Sequence, residues 1–204
     1  MGAAIKGKTS VKPMIRFSWL SLILAGFIHS VTANETFKFD ASRSTIGFRV
    51  HQFLGTTDGK FKQFSGTIDL DRQHPEASSV SARIQVSSIN TGIKKRDDHL
   101  RSAEFFNVAN FPEITFKSRG VKQTGTQSGD ITGDLTMHGI TKPVTLHVKV
   151  INPLANEART RWEVTTEPLK RRDFGLMFGS ATETVSGISQ EVAIRIEIEA
   201  VKSR

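Results

Sequence analysis

The stretch "VAIRIEIEA", residues 192–200, decides how this chain folds. Val192, Ile194, Ile196 and Ile198 occupy every second position, and Ala193, Arg195, Glu197 and Glu199 fill the positions between them. Successive side chains of an extended strand point to opposite faces, so this segment is a strand with one aliphatic and one charged face. The same period of two recurs upstream. Ile46, Phe48 and Val50 alternate with Gly47, Arg49 and His51, and Val80, Ala82, Ile84 and Val86 with Ser81, Arg83, Gln85 and Ser87. It returns at Ile114–Ser118, Ile131–Met137 and Val144–Val150, and more weakly at Phe64–Asp71 and Arg159–Leu169.

Turn residues separate these runs: Gly55, Asp58-Gly59, Gly125, Gly129, Asn152-Pro153 and Glu167-Pro168. The pattern predicts eight or nine short antiparallel strands in one all-β domain, a sandwich or barrel. Alternation stops only near Lys94–Ala103, where a single short helix is expected. No internal repeat or low-complexity segment interrupts the run.

The charged face of 192–200 also decides how a barrel would be oriented. A membrane-spanning barrel turns apolar residues outward and polar ones into its lumen. Here the polar positions carry dense charge, the apolar ones are rich in Phe, Ile, Val and Leu, and there is no Tyr to build an aromatic girdle. These features favour a barrel with an apolar interior and a charged exterior. Twelve of the 14 Phe follow residue 33, with clusters at Phe48, Phe53, Phe61 and Phe64 and at Phe105, Phe106, Phe111 and Phe116. Eight strands enclose a space that side chains fill or that holds one small ligand. Composition leaves packed and hollow interiors both open.

The N-terminus has the three zones of a secretory signal. Lys6, Lys8, Lys12 and Arg16 precede the apolar run Phe17–Ile28, and Val31-Thr32-Ala33 offers a cleavage site after Ala33. The apolar core is short for a membrane span, which needs about 20 residues. Met14 offers a second start with a more compact leader. Residues 1–33 are therefore expected to be a removed signal and residues 34–204 the mature domain, in the periplasm if the source is Gram-negative. The leader holds four basic residues and no acid, so its loss lowers the net charge from +8 to +4, too little for a nucleic-acid footprint. The absence of cysteine excludes disulfides, thiolate chemistry and an N-terminal lipid anchor on cysteine.

Chemical motifs are sparse. His51, His74, His99, His138 and His147 show no His-x-His or His-x₃-His spacing, so neither a metal nor a cofactor is expected. There is no Gly-x-Ser-x-Gly elbow. The densest polar cluster is "RDDHL", 96–100, whose neighbouring side chains point in different directions on a helix and read as solvated charges flanking the barrel.

Six stretches, in order, carry a resemblance: "FDASRSTIGFRVHQF" (39–53), "GKFKQFSGTIDLD" (59–71), "RDDHLRSAEFFNVANFPEITFKS" (96–118), "GDITGDLTMHGITKPVTLHVKV" (129–150), "RRDFGL" (171–176) and "ISQEVAIRIEIEA" (188–200). Together they resemble the YceI-like family across nearly all of 34–204. The resemblance implies a lipocalin-like antiparallel barrel holding a long-chain amphiphile such as a polyisoprenoid or isoprenoid quinone, commonly in the periplasm and as a binder, not an enzyme. It places Asp98, His99 and Leu100 in one signature, Phe105, Phe106, Phe111 and Pro112 in the aromatic segment after it, and Arg172, Asp173 and Phe174 in another.

The resulting expectation is a lipid or acyl chain lying against Phe48, Phe53, Phe64, Phe106, Phe116, Leu135, Met137, Leu146 and Phe174. Its head would lie near His99, Arg172 and Asp173. Two alternatives are an enzyme using His99 or Asp173 as acid or base on a bound lipid, and a filled barrel presenting loops to a membrane redox protein. Transient membrane contact and a homodimer stay open.

Overall fold

The computed structural model describes residues 2, 35–152, 158–179 and 187–203. The proposed signal, residues 1–33, lies outside the described residues but for Gly2. Twelve strands follow in order: β1 (Glu35–Phe39), β2 (Thr45–Gln52), β3 (Gly55–Phe61), β4 (Phe64–Leu70), β5 (Ser79–Gln85), β6 (Ile89–Asn90), β7 (Glu113–Gly125), β8 (Ser128–Met137), β9 (Ile140–Asn152), β10 (Arg159–Thr165), β11 (Leu169–Lys170) and β12 (Glu191–Lys202). One α-helix, α1 (Lys94–Arg101), lies between β6 and β7, and short 3₁₀ turns cover Pro75–Ala77, Val86–Ser88 and Arg171–Phe174.

All pairings are antiparallel, and β12 closes the sheet on itself. One edge of β12 pairs with β10 and β11. The other edge pairs with β2 over Val192–Glu197 and with β1 over Ala200–Lys202. The twelve strands thus occupy eight lines, because β1 continues into β2, β3 into β4, β5 into β6 and β10 into β11 along shared partners. The result is the expected eight-stranded lipocalin-like barrel with one helix. The count of eight or nine is met in lines, and the higher strand number comes from breaks within them.

The breaks keep their backbone groups bonded, as enclosed polar groups require. Between β1 and β2, the Asp40 N–H donates to the Glu199 carbonyl at 2.8 Å, and the Glu199 N–H donates to Ser44 Oγ at 2.9 Å. Between β3 and β4, the Lys62 and Gln63 N–H groups donate to Ser88 Oγ at 3.1 and 3.0 Å. The His138-Gly139 turn joining β8 to β9 has positive φ at both residues, +52° and +75°, as a two-residue hairpin with the right strand twist demands.

The faces of β12 lie as its alternation implies. Val192, Ile194, Ile196 and Ile198 line the interior. On the outside, Arg161 donates to Glu197 and Arg159 to Glu199, both at 2.7 Å. Glycine makes room for rings in the bore: a Cβ on Gly59 would stand 2.2 Å from the ring of Phe48, its cross-strand partner, and one on Gly133 would stand 2.5 Å from the ring of Phe116.

Candidate functional site

The inward faces of the eight lines do not meet. They enclose a cavity of about 530 Å³, within the range of small-molecule sites. Its wall is mostly aliphatic and aromatic, with Phe48, Phe61, Phe106, Phe116, Leu146 and Trp162 among the larger contributors. Residues from both ends of the barrel line it, Gln123–Gly129 around the β7–β8 hairpin at one and α1 with β2 and β3 at the other, so it runs the barrel's length. The interior that composition left open is hollow.

The hairpin end brings the uncharged Gln123, Thr126, Gln127 and Ser128 to the wall, and the charged side chains gather at the α1 end. Gln52, Thr57, Thr91, Arg96, His99 and Arg171 all line the cavity there. The buried hydroxyl of Thr57 accepts from Gln52 Nε2 and, at 3.3 Å, from Arg96 Nη1. Arg96 Nε donates to Thr91 Oγ1 at 2.7 Å and Nη2 to the Thr91 carbonyl at 3.0 Å. Asp97, 4 % exposed, accepts the Thr91 N–H at 2.8 Å and its hydroxyl at 2.6 Å. The charged start of α1 is therefore only partly solvated. Asp98, paired with Lys94 at 2.6 Å and Arg101 at 2.7 Å, is the outer residue, and these cations hold its carboxyl below the usual range, Lys94 most strongly. Asp97 is the inner residue that fixes the Thr91 loop.

Arg171 is also buried, at 4 % exposure. Its guanidinium donates to the carbonyls of Ser189 at 3.0 Å, Leu176 at 2.8 Å and Ile188 at 3.4 Å, and lies 5.2 Å from the centre of the Phe178 ring. It ties the segment after β11 to the segment before β12.

Of the nine residues expected on the wall, Phe48, Phe106, Phe116, Leu135, Met137 and Leu146 line the cavity, and three do not. Phe53 is 82 % exposed, because it occupies the β2–β3 turn beyond the last cross-strand pair, Gln52 with Gly55. Phe64 begins β4 just after the break in its line and packs against the core cluster. Phe174, 2 % exposed, belongs to that core as well, and its carbonyl lies 3.2 Å from His138 Nδ1.

The expected head-group trio does not converge. Arg172 and Asp173 are exposed and off the cavity. His99 lines it, yet its Nε2 lies 3.2 Å from the Glu104 carboxylate. The residues that do converge, Arg96, Thr57, Thr91 and Gln52, were missed: Arg96 was absorbed into a helix read as solvated, and the others had no motif. Among the described residues no three His, Asp or Glu side chains gather as a metal site would require.

A closed antiparallel barrel around a long, largely apolar cavity with charged side chains at one end defines a class of proteins built to enclose a small apolar molecule. Within that class the chain belongs to the YceI-like family, whose domain model matches residues 37–200. It is 36 % identical over 199 residues to protein YceI of Salmonella agona, covering 95 % of this chain and 99 % of that one. The crystal structure of Burkholderia cenocepacia BcnA superposes with a TM-score of 0.73 at 27 % identity, over 80 % of this chain and 99 % of BcnA. A polyisoprenoid binding domain from Saccharophagus degradans shares the fold, with a TM-score of 0.63 at 18 % identity over 82 % of this chain and 98 % of that one.

Proposed function

We propose that this chain is a periplasmic binding or carrier protein that holds one long-chain amphiphile inside its barrel: a polyisoprenoid, an isoprenoid quinone or an acyl chain. The observation that carries this reading is the lengthwise apolar cavity of about 530 Å³. Hydrocarbon packed against Phe48, Phe106, Phe116, Leu135, Met137 and Leu146 leaves water at roughly 0.8 kcal/mol per methylene, so binding needs little polar chemistry along the chain. The name of the Saccharophagus domain, a polyisoprenoid binder of the same fold, supports the ligand class. The leader-like residues 1–33 support secretion. Binding is favoured over catalysis because Asp173 is off the cavity and His99 is engaged with Glu104.

Native mass spectrometry of gently purified protein tests the reading. The expected result is a co-purifying lipid, or uptake of an added isoprenoid or acyl chain in one-to-one stoichiometry. Protein that neither carries nor takes up such a molecule would sink the carrier reading.

A further inference from the structure

We infer that the α1 end of the cavity is an oxyanion subsite, in which Arg96, Thr57 and Gln52 hold the phosphate or carboxylate head of the amphiphile. The inference rests on the binding reading above and specifies its ligand. It starts from the charge of the wall. Among the described residues, the ionisable side chains lining the cavity are Arg96, His99 and Arg171, and no carboxylate lines it. Arg96 makes no ion pair among the described residues. Asp97 reaches it only through the Thr91 hydroxyl, which donates to the carboxylate and accepts from Arg96 Nε.

The donors point the same way. A guanidinium has five N–H donors, and Arg96 uses three, two on Thr91 and one on Thr57. One N–H each on Nη1 and Nη2 is left, a pair matched to two oxygens of one oxyanion. Thr57 Oγ1 accepts from Gln52 and Arg96, which leaves its own hydrogen to be donated, and Gln52 keeps a second amide N–H. The cluster offers mainly donors beside a fixed cation in a low-dielectric wall, where such interactions are strengthened. An alkanol hydroxyl uses little of this, whereas a phosphate or carboxylate uses most of it. Thr91, held by Asp97, keeps the guanidinium in place.

The test compares hexadecanol with hexadecyl phosphate and palmitate, each displacing the neutral fluorophore N-phenyl-1-naphthylamine from the intact protein. Wild type is expected to bind the two anions at least tenfold more tightly than the alcohol. Arg96→Gln should weaken the anions about tenfold to hundredfold, the range for losing hydrogen bonds to a charged group, with hexadecanol within about twofold of wild type. Arg96→Lys, which keeps the charge without the fork, should retain part of the preference, and Thr57→Val should lose part of it. Arg172→Gln, off the cavity, should change nothing. Inorganic phosphate should not displace hexadecyl phosphate, and displacement by it would overturn the assignment to an amphiphile's head, because a free oxyanion would then fill the site without a chain.

Equal affinity of wild type for alcohol and anions, or an undiminished preference in Arg96→Gln, overturns the oxyanion subsite while leaving the binding reading intact. Failure of all three amphiphiles and the fluorophore to bind overturns both. If Arg96→Gln melts below the assay temperature, Arg96→Lys and Thr57→Val decide.

Discussion

Lengthening a 1-alkanol one methylene at a time should raise its affinity about twofold to fourfold per step until the cavity is full. The upper figure follows from about 0.8 kcal/mol per buried methylene, with 1.4 kcal/mol per tenfold. The lower one allows for torsions that freeze on entry. The end of the ladder comes from the cavity itself. At roughly 30 Å³ per water-sized group, about 530 Å³ accommodates about 18 such groups, so the slope should break near sixteen to eighteen carbons. Displacement of N-phenyl-1-naphthylamine by alkanols from eight to twenty-two carbons measures both slope and break. Val148 projects into the cavity from β9, so Val148→Trp should move the break a few methylenes shorter and leave the initial slope unchanged. Affinity independent of chain length from eight carbons upward would refute the reasoning, because it would mean that the chain stays outside the barrel. A break unmoved by Val148→Trp would refute the placement of the chain along β9.

Three further outcomes follow from particular contacts. Asp97→Ala leaves the Thr91 N–H and hydroxyl without their acceptor, which should cost about 2 kcal/mol and lower Tm by about 4–8 °C in thermal denaturation, whereas Asp98→Ala on the outer face, where solvent screens its ion pairs, should leave Tm nearly unchanged. Gly59→Ala drives a methyl into the Phe48 ring, so about 1–3 kcal/mol of stability should be lost together with hexadecanol affinity as the ring is pushed into the bore; retained stability and affinity would show that the ring has room to move elsewhere. Glu35 accepts from Lys202 at 2.9 Å and from Arg72 at 2.7 Å, and the Lys202 bond most strongly holds its carboxyl below the ordinary value of 4.5. A carboxyl depressed in the folded state contributes stability that is present above its ordinary value and lost as pH falls through the depressed one, so Tm should fall below about pH 4.5, less steeply in Glu35→Gln. Identical slopes in the two proteins would remove Glu35 from barrel closure.

What the sequence made legible follows the reach of its signals. Period-two alternation is local and extends over whole strands, so 192–200 already showed which face of the last strand is inside. It could not show hollowness, because an inward Phe packs a core or walls a cavity with the same spacing. Phe48 and Phe174, both expected on the wall, show the two outcomes: one lines the cavity and the other is buried in the core beside the His138 turn. Neighbouring residues were misassigned for a related reason. In "RDDHL" the inner carboxylate is Asp97 and the outer one Asp98, and in "RRDF" the inner arginine is Arg171 and the outer one Arg172. Composition does not distinguish such neighbours. The facing is set by Thr91 and by the carbonyls of Leu176, Ile188 and Ser189, which are brought in by folding.

The position of the charged end has a topological cause. β5 pairs on one side with β4 and on the other with β7, but its continuation β6 is only two residues long and, among the described residues, pairs with β3 alone. The chain leaves the β5 line at Val86, whose N–H donates to the Pro112 carbonyl at 2.9 Å, so the side of β6 away from β3 has no strand against it. An uncovered edge of this kind exposes unpaired backbone groups unless another element protects it. Here α1 packs against β6, and Arg101 Nη1 donates to the Ile89 carbonyl at 3.1 Å. In a closed barrel every inward position belongs to a strand and alternates with an outward one. The break in pairing is where a helix reaches the interior instead, and it brings Arg96 to a wall that is otherwise largely hydrocarbon. Restoring the ladder between β6 and β7 would give a more regular barrel, but one with no place for that guanidinium.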